Sequence, residues 1–590
     1  MIRRAAGAAA VLAVSALGLA ACSSTSLVVG GSTVTVASAQ PVTSLNDQTA
    51  YGNTTANRSI VAATNAGFNY YDDTSLLVRD ESFGHYEIVS RNPFAVRYTV
   101  ANGVTWSDGV LVDAADLLLA WAANSGKLNT EGFNPERFVD AETGLFGAFP
   151  DDTVYFDGQS RSGLQFVSAV PEIADDSRSI TLTYDAYFVD WELAFDVGMP
   201  AHVVAEQALS VKATEKQPRA EVAKQAVIDA ILDVDASRLA PLAVAWNTAF
   251  VVNEATPLDL FVGSGPYSVT AIEPDESVTL TANALYTGDR KPRFETVRVM
   301  TIADPLEAVA ALGRGEVDVI APIPTPEVLE ALTDLDGVQV QSGEGSAFEH
   351  LDLQFSGAKN PTFNDPLLRE AFLLTVPRQQ IVHDLVRPSA GEARVRDSLL
   401  LLDAESSVPP QNLSKARRLV TESAVAGPVV CILFDPANPR RVAEFELIAA
   451  RAEDVGFVVA DCSRSDWEDF LGVDGAYDAA LFAWNESTAA VSAPAARLRS
   501  NSTLSNFSHY ASDTVDSLLD QLAVTEDALE QRELLEKIDE ELRSDFYGLA
   551  LYQFPALVAH RDDIDNATPA RLGAGLLWNV WQWQPAAKAE

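Results

Sequence analysis

An α/β fold with more than one lobe is what the sequence predicts, and three observations predict it. The chain has 590 residues, well past the roughly 250–300 at which a single hydrophobic core stops growing. Hydrophobic residues make up 47% and charged residues 21%, a balance that can fill such cores and does not suit a disordered chain. From Asp304 to Cys462 amphipathic helical stretches alternate with short apolar runs, the pattern of βαβ units and a parallel-containing sheet.

The chain opens on "MIRRAAGAAAVLAVSALGLAACSS". Arg3 and Arg4 precede an apolar run from Ala5 to Ala21, short of the roughly 20 residues a membrane span needs but suited to an export signal. Leu19-Ala20-Ala21-Cys22 resembles the lipobox of bacterial lipoproteins. Residues 1–22 are therefore expected to be a signal peptide ending at a lipidated Cys22, with 23–30 a linker. Two or more acyl chains would hold the mature protein to the outer face of the cytoplasmic membrane. The alternative is a conventional cleavage site with a chance cysteine.

Strand signals follow at Thr33 to Ala37 and in "FAVRYTVANGVTWSDG", whose apolar and polar residues alternate into a turn. Asn102-Gly103 and Asp108-Gly109 can supply positive φ, and Trp106 can cover the strand end. Asp113 suits a helix N-cap and Asp116 the third helical position, so the corner continues into a helix held by a capping box. "RSITLTYDAYFVDWELAF" repeats the strand pattern and then reads as a helical stretch closing near Met199-Pro200, Ala220 to Trp246 reads as largely helical, and "GPYSVTAIEPDESVTLTANALYTGDRKPRFETVRVMTI" reads as three strands. The helix-strand alternation comes next, then a helical pair in "TVDSLLDQLAVTEDALEQRELLEKIDEELRSD", then strand-like "YGLALYQFPALVAHR". Cys431 and Cys462 sit on or just beyond two of the apolar runs. Outside the reducing cytosol they form either a disulfide between neighbouring strands or two buried thiols.

With 41 Lys plus Arg against 83 Asp plus Glu, the formal charge is −42. So acidic a surface repels phosphate backbones, which argues against a nucleic-acid partner. The six histidines are scattered with no zinc-site spacing, so no metal and no cofactor is expected. Ser356-Gly357-Ala358-Lys359 has the serine-to-lysine spacing of penicillin-binding enzymes but lacks their companion motifs. No Walker or Rossmann fingerprint appears. The residues therefore offer no recognised catalytic pattern.

"GVTWSDGVLVDAADLLLAW", "SGPYSVTAIEPDESVTLTANALYTG", "EAVAALGRGEVDVI", "FNDPLLREAFLLTVPRQQIV", "YDAALFAW" and "LALYQFPALVAH" occur in an order that resembles the family 5 extracellular solute-binding proteins, the peptide and nickel receptors of ABC importers. The chain departs from the pattern at Ala284, where the family usually has proline, and at Pro377, where aspartate is common. The resemblance implies a periplasmic-binding-protein-like α/β fold: two α/β lobes joined by two crossover strands, with an extra small domain embedded in lobe I. Lobe I is expected from 31–55, 165–298 and 548–590, the small domain from 56–164, and lobe II from 299–547. The crossings are expected near Val297–Thr301 and Leu549–Tyr552, and Trp106, Asp108 and Asp116 are expected to be scaffold.

The same resemblance implies a non-enzymatic, monomeric receptor that takes a peptide-like solute between its lobes and serves a separate ABC permease and ATPase. It places ligand contacts at Tyr51, Gly52 and Asn53 of lobe I, at Trp484, Asn485 and Glu486 of lobe II, and at Tyr552 and Gln553 on the returning strand. Peptide receptors of the family carry an aspartate three residues after the tryptophan; here that position is Ser487, with Glu486 beside it. The departure leaves open a solute without a free amine, such as a metal chelate or an oligosaccharide. It also leaves open a surface signalling or structural lipoprotein that has lost transport.

Overall fold

The computed structural model describes residues 27–586 apart from 74–75, 141, 159–162, 215–216, 391–392, 402–408, 486–489, 503–504 and 571–574. Cys22, Glu486 and Ser487 thus lie outside the described residues. No helix among the described residues is long and apolar enough to cross a membrane.

A ten-stranded sheet runs through the molecule. Its order is Val458–Asp461, Val429–Leu433, Ala479–Asn485, Val338–Leu353, Gly548–Arg561, Val319–Ile320, Val29–Ser38, Phe294–Thr301, Ser277–Ala282 and Tyr267–Glu273. Two long antiparallel strands, Val338–Leu353 and Gly548–Arg561, hold its halves together. The Val338 end of the first sits in lobe I, and its Ala347–Leu353 end pairs with Ala479–Asn485 in lobe II. Between Glu344 and Phe348 the register slips, opposite Gln553 to Pro555. A proline cannot donate to the ladder and an unpaired step bends a strand, so the ribbon is softest where the lobes join.

The expected crossing at Val297–Thr301 is corrected here. That strand pairs with Val29–Ser38 on one side and Ser277–Ala282 on the other, inside lobe I. Helices Pro305–Arg314 and Pro326–Thr333 bury Ala308, Leu312 and Leu332 against Ala37, Ile320 and Ala559, so residues beyond 299 still belong to lobe I. The chain first leaves that lobe on the Val338–Leu353 strand. An apolar strand beside an amphipathic helix reads the same on either side of such a junction.

A second, four-stranded sheet orders Gly84–Arg91, Phe94–Val100, Ser179–Tyr184 and Glu172–Ile173. It reaches past the 56–164 expected for the small domain, because Ser179–Tyr184 pairs with Phe94–Val100 residue for residue. Its Val96, Tyr98 and Leu182 share one core with Val34, Trp106, Trp121 and Trp246. Lobe II has two larger cores, one around Leu351, Phe372, Ile432 and Tyr552, the other around Phe348, Leu498, Tyr510 and Tyr547.

The "WSDG" corner is interior scaffold. Trp106 is fully buried, Gly109 takes a φ of 91° that favours glycine, and Asp113 with Asp116 closes the capping box on helix Ala114–Ser125. Buried Asp116 also accepts from the Ala201 backbone N–H at 2.8 Å and from Lys224 Nζ at 2.7 Å. Asp108 meets His202 Nε2 at 2.8 Å. The acids of the motif are thus spent on tying three helices together.

Candidate functional site

The expected lobe I contacts form one tight turn. Thr54 caps helix Thr55–Thr64 by accepting from the Asn57 N–H, which fixes the chain just after Asn53. The Gly52 carbonyl accepts from Asn57 Nδ2 at 2.9 Å and its N–H donates to Thr49 Oγ1 at 2.9 Å. A Cβ at Gly52 would fall 1.9 Å from the Asn46 carbonyl oxygen, so only glycine fits. The Ala50 N–H donates to Asp157 Oδ2 at 2.9 Å, and Asn53 Oδ1 accepts from Arg58 Nη1 at 2.7 Å. Tyr51 remains half-buried, carried on a turn that cannot relax.

In lobe II the pairing of three adjacent strands aligns Trp484, Phe348 and Gln553 in one transverse row. The Arg396 guanidinium lies 3.8 Å from the centre of the Phe348 ring and donates to Gln553 Oε1 at 2.5 Å. Gln553 in turn donates to the Gly345 carbonyl at 2.7 Å, at the slipped register. Trp484 stacks on Phe507 with ring centres 5.9 Å apart and 5° between planes, and the Arg497 guanidinium lies 5.4 Å from its ring. Its indole N–H has no acceptor among the described residues. Asn485, one residue further along the strand, is exposed. Phe348, Gln553, Arg396 and Arg497 are buried and Trp484 is half-buried, so the row places an aromatic stack and two guanidinium groups at the lobe junction, with Trp484 as its accessible member.

Tyr552 lies away from that row. Successive residues of a strand point to opposite faces, and Gln553 takes the face shared with Phe348. Tyr552 is fully buried on the other face, in the lobe II core, and its hydroxyl donates to Glu444 Oε1 at 2.5 Å. Glu349, also fully buried, receives Arg441 Nε at 3.0 Å. Burial, and then the Glu349 charge, push the Glu444 carboxyl up to about 8. The two acids, Tyr552 and Arg441 thus form a buried knot between one crossover strand, the other, and helix Pro439–Glu453.

Phe348, Arg396 and Arg497 neighbour the expected contacts Trp484 and Gln553 without having been singled out in the sequence. The signal was faint: "SAFEHLDLQF" alternates apolar and polar residues as a half-buried strand does, and the two arginines stand in segments without periodicity.

A cavity of about 270 Å³ lies elsewhere, in lobe I, between helix Thr55–Thr64 and the C-terminal tryptophans. Arg58, Tyr70, Arg290, Trp578 and Trp581 are among its walls, and no lobe II residue is. Cys431, on strand Val429–Leu433, and Cys462, just past the end of the parallel strand Val458–Asp461, are bonded to each other with Cα atoms 5.7 Å apart. No cluster of three metal-ligating side chains occurs among the described residues.

Residues 88–506 match the model of bacterial extracellular solute-binding proteins, family 5 middle domain. The chain belongs to that family.

A lipoprotein of Mycobacterium leprae with no assigned function is 25% identical over 566 residues, covering 91% of each chain. One from Mycobacterium tuberculosis is 25% identical over 557 residues, covering 91% of this chain and 90% of its own. A Brucella ovis protein described as a putative ABC transporter peptide-binding protein is 28% identical over 167 residues, covering 28% of this chain and 30% of its own.

Among solved structures, a periplasmic EDTA-binding protein superposes with a TM-score of 0.74 at 18% identity, covering 94% of this chain and 97% of its own. The Bacillus subtilis oligopeptide-binding protein solved with a nonapeptide superposes with a TM-score of 0.62 at 15% identity, covering 94% and 99%. At such identities the likeness speaks for the family 5 fold alone.

Proposed function

We propose that this family 5 solute-binding protein is a lipid-anchored extracytoplasmic receptor that takes a peptide-like solute between its lobes and delivers it to an ABC permease driven by a separate ATPase. The observation that carries the reading is the row Trp484, Phe348, Gln553, which lies between two register shifts of the crossover strands, at Glu344/Phe348 and at Glu349/His350. A solute held there bridges the lobes at their softest point. The solute is then retained if it binds the closed form better than the open one. The lipoprotein relatives and the peptide-bound Bacillus neighbour support this reading, as does Cys22 in its lipobox-like setting.

A second reading has its own support. Arg396 and Arg497 offer positive charge beside the aromatic stack, and Ser487 replaces the aspartate of the peptide receptors. A carboxylate-rich solute without a free amine, such as a metal chelate, fits that chemistry.

Titration calorimetry with a pool of short peptides and with EDTA-type chelates separates the two. Heat on peptide addition supports the first, heat on chelate addition alone supports the second, and silence with both contradicts solute capture from these classes.

A further inference from the structure

Away from the crossover strands, the buried side chain of Asp190 joins the small sheet's segment to lobe II. Asp190 follows the Ser179–Tyr184 strand of the small sheet, in a segment whose Tyr187 and Trp191 pack on the lobe I core. Its carboxylate accepts from the Val491 N–H at 2.7 Å through Oδ1 and from the Ser492 N–H at 2.9 Å through Oδ2. Val491 and Ser492 lead into helix Ala493–Leu498, whose Leu498 belongs to a lobe II core. Only 5% of Asp190 is exposed. A second contact, the ion pair of Arg91 with Glu526, joins the small sheet to the turn between two lobe II helices, but both side chains are largely in water.

We infer that Asp190 is a clasp that holds the lobes closed before any solute arrives. Two N–H groups shared one to each carboxylate oxygen make charge-assisted hydrogen bonds, the strong class, and a site this dry strengthens them further. An exposed pair such as Arg91 with Glu526 contributes little, since water and salt screen it. The donors are backbone groups, so the clasp engages only when the main chain of lobe II arrives in one position. A bent ribbon at the hinge and a bidentate contact on separate elements together give a resting molecule biased to the closed form. The inference rests on the two-lobed receptor reading and extends it: solute entry has to wait for the clasp to open.

The test is small-angle scattering on the full-length mature protein with no solute present, comparing wild type with Asp190→Ala, Ser492→Pro and Arg91→Ala. Ser492 has a φ of −80° that a proline ring accepts, so Ser492→Pro deletes one donor from the opposite lobe and leaves Asp190 intact. Asp190→Ala is expected to shift the closed-to-open ratio about tenfold or more toward open, the scale of losing hydrogen bonds to a charged group. Ser492→Pro shifts it in the same direction by less, the double variant opens no further than Asp190→Ala, and Arg91→Ala matches wild type. Circular dichroism confirms that each variant is folded.

A wild type already open without solute, or Asp190→Ala and Ser492→Pro scattering like wild type, overturns the clasp. Because no solute is present, a protein that takes up no peptide still reports on Asp190. A clasp that behaves as described in a protein deaf to every solute overturns only the proposed function.

Discussion

The Tyr552 hydroxyl, on one crossover strand, is donated to the buried Glu444 carboxylate of lobe II at 2.5 Å. Burial, and after it the charge of Glu349 on the other crossover strand, raises the pKa of that carboxylate. The hinge ribbon is therefore anchored in lobe II by a proton.

Stability should fall as pH rises through that proton's window. Glu444 titrates at about 8 in the folded protein and near 4.3 when unfolded, so between these values the native state holds a proton that the unfolded chain has released. The contribution is fully present at the acid end of the window and lost toward pH 8. Urea unfolding at pH 5, 6.5 and 8 is expected to show Glu444→Gln losing less stability with rising pH than wild type. Parallel pH profiles would contradict the assignment.

Lys224 is the cation that makes the capped corner tolerable. Its ammonium sits 2.7 Å from Asp116 and 3.1 Å from Asp113, with Asp116 fully buried. Removing one partner of a buried pair costs about 3–5 kcal/mol because the other charge stays buried. Lys224→Met is expected to lower the unfolding midpoint accordingly, and a loss below about 1 kcal/mol would show that the pair carries little.

That corner was legible in the sequence because its logic is local. Asp113, Asp116 and Gly109 act within a few residues of themselves, and capping and turn chemistry are written at that range. The strand alternation and the helix-strand rhythm of lobe II were legible for the same reason. The crossing was not, since Phe294–Thr301 and Val338–Leu353 both read as strands and nothing local says which neighbours each will pair with. That Tyr552 and Gln553 part to opposite faces was legible, but the pattern gives two faces to a strand without saying which one meets the junction. Arg396 and Phe348 meet only because a segment some fifty residues on folds back over the sheet.

The Cys431 to Cys462 bridge closes a loop with a sequence separation of 31. A cross-link of this length stabilises by about 3 kcal/mol, chiefly by restricting the unfolded chain. Cys431→Ser with Cys462→Ser is expected to lower stability by about that amount and to leave the wild-type fold unaltered by circular dichroism. Identical unfolding with and without a reductant would contradict the bridge.

Trp484→Phe keeps a flat ring over Phe507 but removes the indole N–H that has no acceptor among the described residues. Solute affinity measured by calorimetry is expected to drop about tenfold, the scale of one buried hydrogen bond, with the unfolding midpoint nearly unchanged. Unchanged affinity would place the solute away from the Trp484 row.

The central claim, that this chain closes around a guest molecule, is tested most directly by native mass spectrometry of the freshly purified protein, before and after incubation with a peptide pool. The account expects a population heavier than the bare polypeptide, its extra mass released on denaturation and identified as one or a few short peptides. A single bare mass in both samples, under conditions that preserve the fold, would contradict it.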